Sequence, residues 1–379
     1  MVLLFKGQTQ QLAAQLSSRL AAQHCYLPNR DASQGELCMP NYIPHNLTLC
    51  SHCILPETFP GIKFDEQGVC NYCHREKKII EKSSEKKASY RVRLDNLIND
   101  TKAKSPLYDV VIAYSGGKDS SYTLKLLKER YNLRILAITF DNHFVSPIAW
   151  KNIRRVTDVL GVDGISFSPP WPIVKAIFSL AAKRDIFATP TLMRASTICT
   201  SCIGMVKSIV LKAALEMKIP LVAFGWSPGQ APIQSAIMKT NPRLIRQNQT
   251  ALKNAFPEDI RQDLETYFIP NSYYDEYADY FPYNIHPLAF FDYDEKAIKA
   301  EMKEIGWHPP EDTDTNSTNC LLNAFANQCH IERHGFHPYV WEIANMVRQG
   351  IMSREDGIEK IYSEQNSEMV KYAKEKLEL

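Results

Sequence analysis

The stretch SGGKDS at residues 115–120 has the composition of a loop that binds phosphate. Ser115, Gly116 and Gly117 permit a tight turn whose backbone N–H groups and hydroxyl can surround an anion. Lys118 supplies a full positive charge, and a helix that begins just after it would add the partial positive charge of its N-terminus. These residue types at this spacing predict a site for the phosphates of a nucleotide.

Two CxxC pairs near the N-terminal end are separated by sixteen residues: Cys50 and Cys53, then Cys70 and Cys73. Each pair forms a tight knuckle that points two thiolates at one ion, and four thiolates complete the tetrahedral sphere of a structural Zn²⁺. A closed set of four leaves no open coordination position for a substrate. The spacing therefore predicts a zinc ribbon with a structural role.

The elements that must position the phosphate loop alternate between apolar strands and amphipathic helices. The predicted strands are YDVVIAYS, RILAITFD, GISFS and PLVAFGW, and the segments between them have helical periodicity. Such alternation predicts an α/β fold with a doubly wound parallel sheet and helices on both faces. SGGKDS lies directly after the first strand and directly before a helix, which is where a parallel sheet binds ligands.

SGGKDS in this strand–loop–helix context resembles the PP-loop of the ATP pyrophosphatase superfamily, whose members bind ATP, direct a substrate oxygen at the α-phosphate and release pyrophosphate. Neither GxxxxGK(S/T) nor GxGxxG follows a strand, which excludes the kinase-type loop and the dinucleotide site. The resemblance implies a HUP-like core, Mg²⁺ as counterion, and Lys118 and Asp119 as catalytic residues. The predicted nucleotide-binding residues are Ala113, Ser115, Gly116, Gly117, Lys118, Asp119, Ser120, Phe140, Asp141 and Gly225.

A third CxxC pair, Cys199 and Cys202, has no partner pair, and one further cysteine, Cys320, lies far away in a polar segment. Two thiolates from a CxxC and one distant thiolate resemble the PP-loop tRNA thiolases, which hold a four-iron four-sulfur cluster by three cysteines. The resemblance implies such a cluster here, with the three cysteines as metal ligands and catalytic residues. Two alternatives stay open, a persulfide relay through Cys199 or Cys202 and inert structural cysteines. Cys329 could replace Cys320 as the third ligand.

A second resemblance rests on CILPETFPGIKFDEQGVCNYC, AYSGGKDS and VRQGIMSREDGIEKI, which look like segments of N-acetyl sugar amidotransferases. Those enzymes replace an acetamido oxygen with nitrogen, using ammonia from a partner glutaminase. CTSCIGMVK and FGWSPGQAP depart from that pattern. In the second of these segments, Trp226 and Gln230 follow a core strand and are predicted to contact the substrate.

These motifs predict that ATP adenylates a lactam or amide oxygen and that sulfur then replaces it, on a nucleobase-like substrate free or in tRNA. Amidation of an N-acetyl sugar is the alternative enzymatic interpretation, and a zinc-ribbon protein that binds nucleic acid without catalysis is a third. The predicted partners are a small-molecule or tRNA acceptor and a sulfur-donor protein or glutaminase subunit. A homodimer is a further possibility.

Composition and length set the outer limits of these predictions. The 379 residues include 44 Lys and Arg against 42 Asp and Glu, so the chain lacks the basic excess of a dedicated nucleic-acid binder. The N-terminus fits neither a secretory signal nor a membrane span, which predicts a cytoplasmic protein without a membrane segment. The predicted domains are an N-terminal helical extension (1–45), the zinc ribbon (46–76), a charged connecting helix (77–107), the PP-loop core (108–235) and a mostly helical C-terminal region (236–379).

Overall fold

The structure is a computed structural model, and it describes residues 47–81, 83–230, 232–314 and 316–379. The predicted helical extension over residues 1–45, with Cys25 and Cys38, lies outside the described residues.

One sheet of six strands organises the described part of the chain, in the order β3-β2-β1-β4-β6-β5. Neighbouring strands run parallel except at the end, where β5 pairs with β6 antiparallel. Apolar side chains on β1, β2 and β4 are buried, as expected for strands covered on both faces. The strands are β1 (Val110–Ala113), β2 (Ile135–Phe140), β3 (Asp163–Phe167), β4 (Leu221–Phe224), β5 (Ile237–Lys239) and β6 (Tyr283–Ile285).

Fifteen α-helices lie within the described residues. They are α1 (Asn71–Glu81), α2 (Ser83–Thr101), α3 (Lys118–Tyr131), α4 (Pro147–Leu160), α5 (Trp171–Lys183), α6 (Thr189–Leu192), α7 (Thr197–Glu216), α8 (Pro242–Ala255), α9 (Glu258–Glu265), α10 (Tyr273–Glu276), α11 (Glu295–Glu304), α12 (Asn323–His334), α13 (Val340–Arg348), α14 (Arg354–Tyr362) and α15 (Ser367–Leu377). Three 3₁₀ turns add Ile233–Ser235, Ala278–Tyr280 and Pro287–Ala289.

The sheet and its helices confirm the predicted fold class, a mostly parallel α/β sheet with an N-terminal four-cysteine ribbon and a helical C-terminal part. Two details differ from the sequence pattern. The apolar periodicity of residues 353–377 alone predicts one helix, but the structure has two, α14 and α15, and Asn366 caps the second. The sheet also includes β5 and β6, which follow residue 235, while the domain boundaries themselves stay predictions.

Helix α7 is long and apolar enough to cross a membrane by length and composition, alone among the helices of the described ranges. Of its apolar window, 44% is buried inside the protein, and the helix packs against β1, β4 and α5. Core helices of this kind pass the same test, so its apolar character is explained by its place beside the sheet.

Candidate functional site

The phosphate loop joins β1 to α3 through a turn that only glycine can make without strain. Gly116 has a φ of +72°, and a Cβ there would lie 2.6 Å from the carbonyl oxygen of Ala149 in α4. Trp307 donates its indole N–H to the Gly116 carbonyl at 3.0 Å. The indole and α4 therefore fix the turn from outside and leave its inner face for a ligand.

Two serine hydroxyls close the inner face of this loop. Ser115 Oγ accepts the N–H of Gly117 at 3.3 Å and lies 3.1 Å from Ser120 Oγ. Gly117 is the N-cap of α3 and offers no side-chain cap, and Thr318 Oγ1 accepts the N–H of Lys118, the first residue of the helix, at 3.0 Å. An anion would bind at the N–H groups of the turn and of the rest of the first helical turn. The structure thus places four of the predicted nucleotide-binding residues, Ser115, Gly116, Gly117 and Ser120, in one cradle, and their binding role stays a prediction.

Lys118 is almost fully buried, and its ammonium is surrounded by acidic and phenolic groups. Its Nζ lies 2.8 Å from Asp119 Oδ1 and 4.0 Å from Glu295 Oε2, and it donates to the Tyr293 hydroxyl. Burial alone would lower the pKa of Lys118, but the charges of Asp119 and Glu295 outweigh burial and raise it. The loop therefore keeps a permanent cation, and the carboxylates restrain its position.

Gly225, at the end of β4, lies directly against the first turn of α3. A Cβ at this position would be 2.4 Å from Ser120 Cα, so only glycine allows the backbones to approach this closely. The residue predicted near the nucleotide therefore meets the phosphate loop through its backbone.

Phe140 and Asp141, at the end of β2, lie on the neighbouring part of the carboxyl edge. The Phe140 ring belongs to the apolar cluster against which the cysteines of α7 pack. The Asp141 carboxylate accepts the N–H of His143 at 2.8 Å and the Ser168 hydroxyl at 3.2 Å. Asp141 therefore shapes the loop after β2, and the predicted contacts of both residues with adenine and ribose remain untested.

The structure brings Cys199, Cys202 and Cys320 together, although more than a hundred residues separate the last from the first two. Ser196 caps α7 by accepting the N–H of Cys199 at 3.1 Å, which puts both CxxC thiols in the first two turns. The side-chain amide of Asn142 lies 3.7 Å from Cys202 Sγ and 3.6 Å from Cys320 Sγ. Within the described residues, the thiol of Cys329, the alternative ligand, contacts neither Asn142 nor the other three thiols.

The three thiols are suited to bind a positively charged group. Burial raises the pKa of Cys199 to about 11 and also raises the pKa values of Cys202 and Cys320. They are therefore neutral at pH 7 unless a bound cation removes their protons. Amide groups from Asn142 and, at 4.0 Å from Cys199 Sγ, Asn323 offer N–H donors to the sulfurs. This donor set fits an iron–sulfur cluster.

A cavity of ≈ 470 Å³ opens beside Cys199, on the side of the sheet edge that also holds the phosphate loop. The loop after β4 contributes Trp226 and Gln230, the two residues predicted to contact substrate. Helix α13 contributes Glu342, which accepts the Ser227 hydroxyl at 2.6 Å. Arg194, Lys207 and Tyr339 also line this cavity.

Glu342 lies close enough to the phosphate loop to be influenced by the charges of Asp119 and Lys118. Burial is the main cause that raises the pKa of Glu342 to about 7, and Asp119 adds to the effect. At neutral pH this carboxyl group is therefore divided between its protonated and ionised forms. It is suited to exchange a proton with a ligand in the cavity.

Glu342→Gln should stabilise the protein increasingly as pH rises from about 4.5 to about 7, with a constant gain above that range. Between the unfolded and folded pKa values of Glu342 the folded state binds more protons, so the wild type loses stability as pH rises and the glutamine variant does not. The difference can grow by at most about 1.4 kcal/mol per pH unit. Urea denaturation at pH 5, 6, 7 and 8 measures it. Exposed Glu359→Gln is the control, and an equal response of the two variants would contradict the prediction.

The four ribbon cysteines form a compact set that fits one tetrahedral metal ion. Sulfurs that bind a single zinc at about 2.3 Å lie about 3.8 Å apart. The Cys50–Cys73 and Cys53–Cys70 sulfurs are 3.8 Å apart, and the Cys70–Cys73 sulfurs are 3.5 Å apart. Among the described residues, this is the single group of three or more cysteine, histidine or acidic side chains whose ligand atoms all lie within 4.8 Å of one another. The residues present therefore fit a structural metal, with zinc as the predicted ion.

The ribbon is attached to the C-terminal helices by two arginines. Arg348 has a fully buried guanidinium that lies 3.4 Å from Cys53 Sγ and 3.1 Å from Glu76 Oε2. Arg354 donates to the carbonyls of Cys53 and Cys50 at 3.0 and 3.1 Å. A tetrathiolate zinc site carries excess negative charge, so the cation of Arg348 compensates both this charge and that of Glu76.

Arg348→Met should lower the free energy of unfolding by about 3 kcal/mol or more, because it leaves Glu76 and the thiolates without their buried countercharge. It should also accelerate zinc transfer to a chelator, which the absorbance of 4-(2-pyridylazo)resorcinol reports. The control is Arg333→Met, which removes a partly exposed ion pair with Asp185 and should cost about 1 kcal/mol or less. Equal zinc release from the two variants would contradict the assigned role of Arg348.

Several residues of the site have no signal in the local sequence. Thr318 Oγ1 accepts the N–H of Lys118 at 3.0 Å, and Tyr293, Glu295 and Glu342 reach the same loop from the C-terminal part. Asn142 was missed as well, although its position directly after a predicted strand is a usable signal. The C-terminal residues carry no motif of their own, and only the fold brings them to the loop.

The sheet order and the loop between β1 and α3 agree with the α/β fold and the strand–loop–helix turn predicted from the sequence. No family model matches the sequence. Among curated proteins, an uncharacterized protein of Methanocaldococcus jannaschii is 23% identical over 309 residues, which are 81% of this chain and 90% of that protein. Argininosuccinate synthase of Pelobacter propionicus is 35% identical over 68 residues, 17% of each protein.

Two solved structures are similar to this chain at low scores. The U34-tRNA thiolase NcsA from Methanococcus maripaludis, with its four-iron four-sulfur cluster, has a TM-score of 0.34 at 16% identity, over 87% of this chain and 88% of that one. A predicted subunit of tRNA methyltransferase from Methanocaldococcus jannaschii has a TM-score of 0.30 at 18% identity, over 62% of this chain and 91% of that one.

Proposed function

We propose that this protein uses ATP to adenylate a carbonyl oxygen, with release of pyrophosphate, and then replaces that oxygen with sulfur. The observation that carries the proposal is the segment from Thr318 to Cys320. Thr318 accepts an N–H of the phosphate loop, and two residues later Cys320 lies with Cys199 and Cys202. A single short segment therefore joins the predicted ATP site to the three thiols, and these thiols have no other role in the proposed function.

The phosphate loop supplies what the first step needs. A carbonyl oxygen is a poor leaving group. Adenylation bonds it to the α-phosphate of ATP, so that it can leave as part of AMP. The Lys118 ammonium and the N-terminus of α3 would stabilise the negative charge that moves onto the pyrophosphate. Ser115 and Ser120 would orient the phosphates by hydrogen bonds, and Mg²⁺ is the expected counterion.

The thiols would serve the second step. An iron–sulfur cluster held by three cysteines leaves one iron free to carry the incoming sulfur, and this is the chemistry it would supply here. Cys199, Cys202 and Cys320 would hold it, with the amide of Asn142 directed at two of the sulfurs. The surrounding apolar cluster would exclude water, which otherwise hydrolyses an adenylate.

Amidation of an N-acetyl sugar is the second candidate function, and one observation favours it. The ribbon and the tail that resemble the sugar amidotransferases contact each other through Arg348 and Arg354, which both lie in the tail segment. The two segments thus act as one structural unit. Both functions share the adenylation step and differ in the incoming atom.

Anaerobic purification followed by iron, sulfide and zinc analysis tests the proposal together with an assay of pyrophosphate release. Sulfur replacement predicts brown protein with about four irons per chain and pyrophosphate release that depends on the acceptor. Colourless protein that holds only zinc, with activity that requires ammonia or a glutaminase, would establish amidation. Absence of pyrophosphate release with either class of acceptor would overturn both functions and favour the binding protein without catalysis.

The acceptor, the partners and the cellular location belong to the same proposal. The acceptor would be a nucleobase-like lactam, free or in tRNA, or an acetamido sugar in the second candidate function. A sulfur-donor protein or a glutaminase subunit would supply the incoming atom. A homodimer and a cytoplasmic location remain predictions from the sequence.

A further inference from the structure

Two cations face the cavity beside Cys199 without an acidic partner. Lys207, on α7, lines this cavity and the next one along the helix, and Arg194 lines it together with the cavity next to Gly229. Among the described residues, neither side chain forms an ion pair or donates a hydrogen bond.

Lys207 is held in place by aromatic rings rather than by a counterion. Its Nζ lies 4.5 Å from the ring centroid of Trp226, and the Trp226 ring stacks on His286 with a centroid distance of 4.4 Å and an interplanar angle of 20°. The Lys207 side chain is otherwise exposed, so its ammonium is accessible to an anion in the cavity, which would supply the missing countercharge.

Glu342 is the single acidic residue that lines this cavity, and it is already engaged. Its carboxylate accepts the Ser227 hydroxyl at 2.6 Å, and the phosphate-loop cation of Lys118 lies close enough to affect its charge. Glu342 is therefore hydrogen-bonded to the loop after β4, and it forms no ion pair with Lys207. At neutral pH the cavity carries more positive than negative charge.

We propose that the acceptor carries an anionic group, a carboxylate or a phosphate, and that Lys207 binds this group while Cys199 and the phosphate loop face the reacting carbonyl. This inference rests on the proposed function, because it takes the cavity beside Cys199 as the acceptor site. Trp226 then positions the Lys207 ammonium and is not a free stacking surface, since His286 and Lys207 already contact its ring. Arg194 would meet a second polar part of a longer acceptor.

Isothermal titration calorimetry with the full chain and two matched pairs of probes tests the inference. Uridine 5′-monophosphate against uridine tests a phosphate, and N-acetylneuraminic acid against N-acetylglucosamine tests a carboxylate. The charged member of at least one pair should bind at least about tenfold more tightly than the neutral member, as expected for one charge-assisted hydrogen bond. Which pair shows the difference identifies the anionic group.

Variants then assign the binding to Lys207. Lys207→Met should abolish the advantage of the charged probe, Lys207→Arg should retain most of it, and exposed Lys303→Met should leave it unchanged. Lys118→Met separates the two sites, because binding at the phosphate loop would be lost in that variant and binding in the cavity would persist. Equal binding of charged and neutral probes, absence of binding, or loss of binding in Lys118→Met alone would overturn the inference. The titrations need neither ATP turnover nor iron, so their failure is distinguishable from failure of the proposed function.

Discussion

Lys118→Met should lower pyrophosphate release from ATP by about 10²- to 10³-fold, the size expected for loss of one preorganised group that stabilises developing charge. The loss has two physical causes. The variant removes the cation of the phosphate loop, and it leaves the carboxylates of Asp119 and Glu295 without their countercharge next to a triphosphate. Steady-state release of pyrophosphate, measured by a coupled phosphate assay, gives the rate.

Lys125→Met is the matched control for this prediction. Lys125 lies on the same helix, two turns further on, and pairs with Glu129 and Glu301 away from the loop. Its replacement should change the rate less than about twofold and cost about 1 kcal/mol or less of stability. A Lys118 variant that unfolds would be recognised by circular dichroism. A folded Lys118→Met protein with the wild-type rate would remove the phosphate loop from the mechanism.

The parts of the site that the sequence predicted are those in which neighbouring residues do the chemistry. SGGKDS is one turn, so its composition and its place between a strand and a helix define it without knowledge of the fold. The ribbon is equally local, because each CxxC forms its own knuckle. The convergence of Cys320 on Cys199 and Cys202 required a resemblance, since no local pattern relates them.

The parts that could not be predicted come from long-range packing. Tyr293 and Glu295 surround Lys118 from about 175 residues further along the chain. Glu342 belongs to no motif in the sequence, and its pKa is raised because α13 buries it between the ribbon and the loop after β4. A carboxylate gains such properties from its surroundings, and sequence alone does not specify those surroundings.

One helix, α13, connects the ribbon to the cavity. Helix α13 has Glu342 near one end, at the cavity, and Arg348 at the other, against Cys53. Asn345, between them, donates to the carbonyl of Gly229 in the loop after β4 at 3.1 Å. The predicted structural metal therefore supports a helix that shapes the candidate acceptor site, a relation that the spacing of cysteines could not reveal.

Single replacements of Cys199, Cys202 and Cys320 by serine should each abolish sulfur transfer to the acceptor, by about 10³-fold or more, while ATP-dependent pyrophosphate exchange stays within about threefold of the wild type. The reason is that the thiols serve only the second step, and the phosphate loop is complete without them. Exchange of labelled pyrophosphate into ATP measures the first step, and mass spectrometry of the acceptor measures the second. Zinc content should stay at one per chain, because the ribbon has its own four ligands.

The pattern across the three variants separates the two ways in which the thiols could act. If they are ligands of one cluster, all three variants lose iron and sulfur transfer together, since a serine at any position leaves the ligand set incomplete. If one cysteine carries a persulfide, one or two of the variants lose sulfur transfer and at least one retains it. In that case neither the wild type nor any variant contains iron. Cys329→Ser is the control, because Cys329 lies outside the group contacted by Asn142 and should leave both steps intact. Full sulfur transfer in all three variants would show that these cysteines are structural and that another group delivers the sulfur.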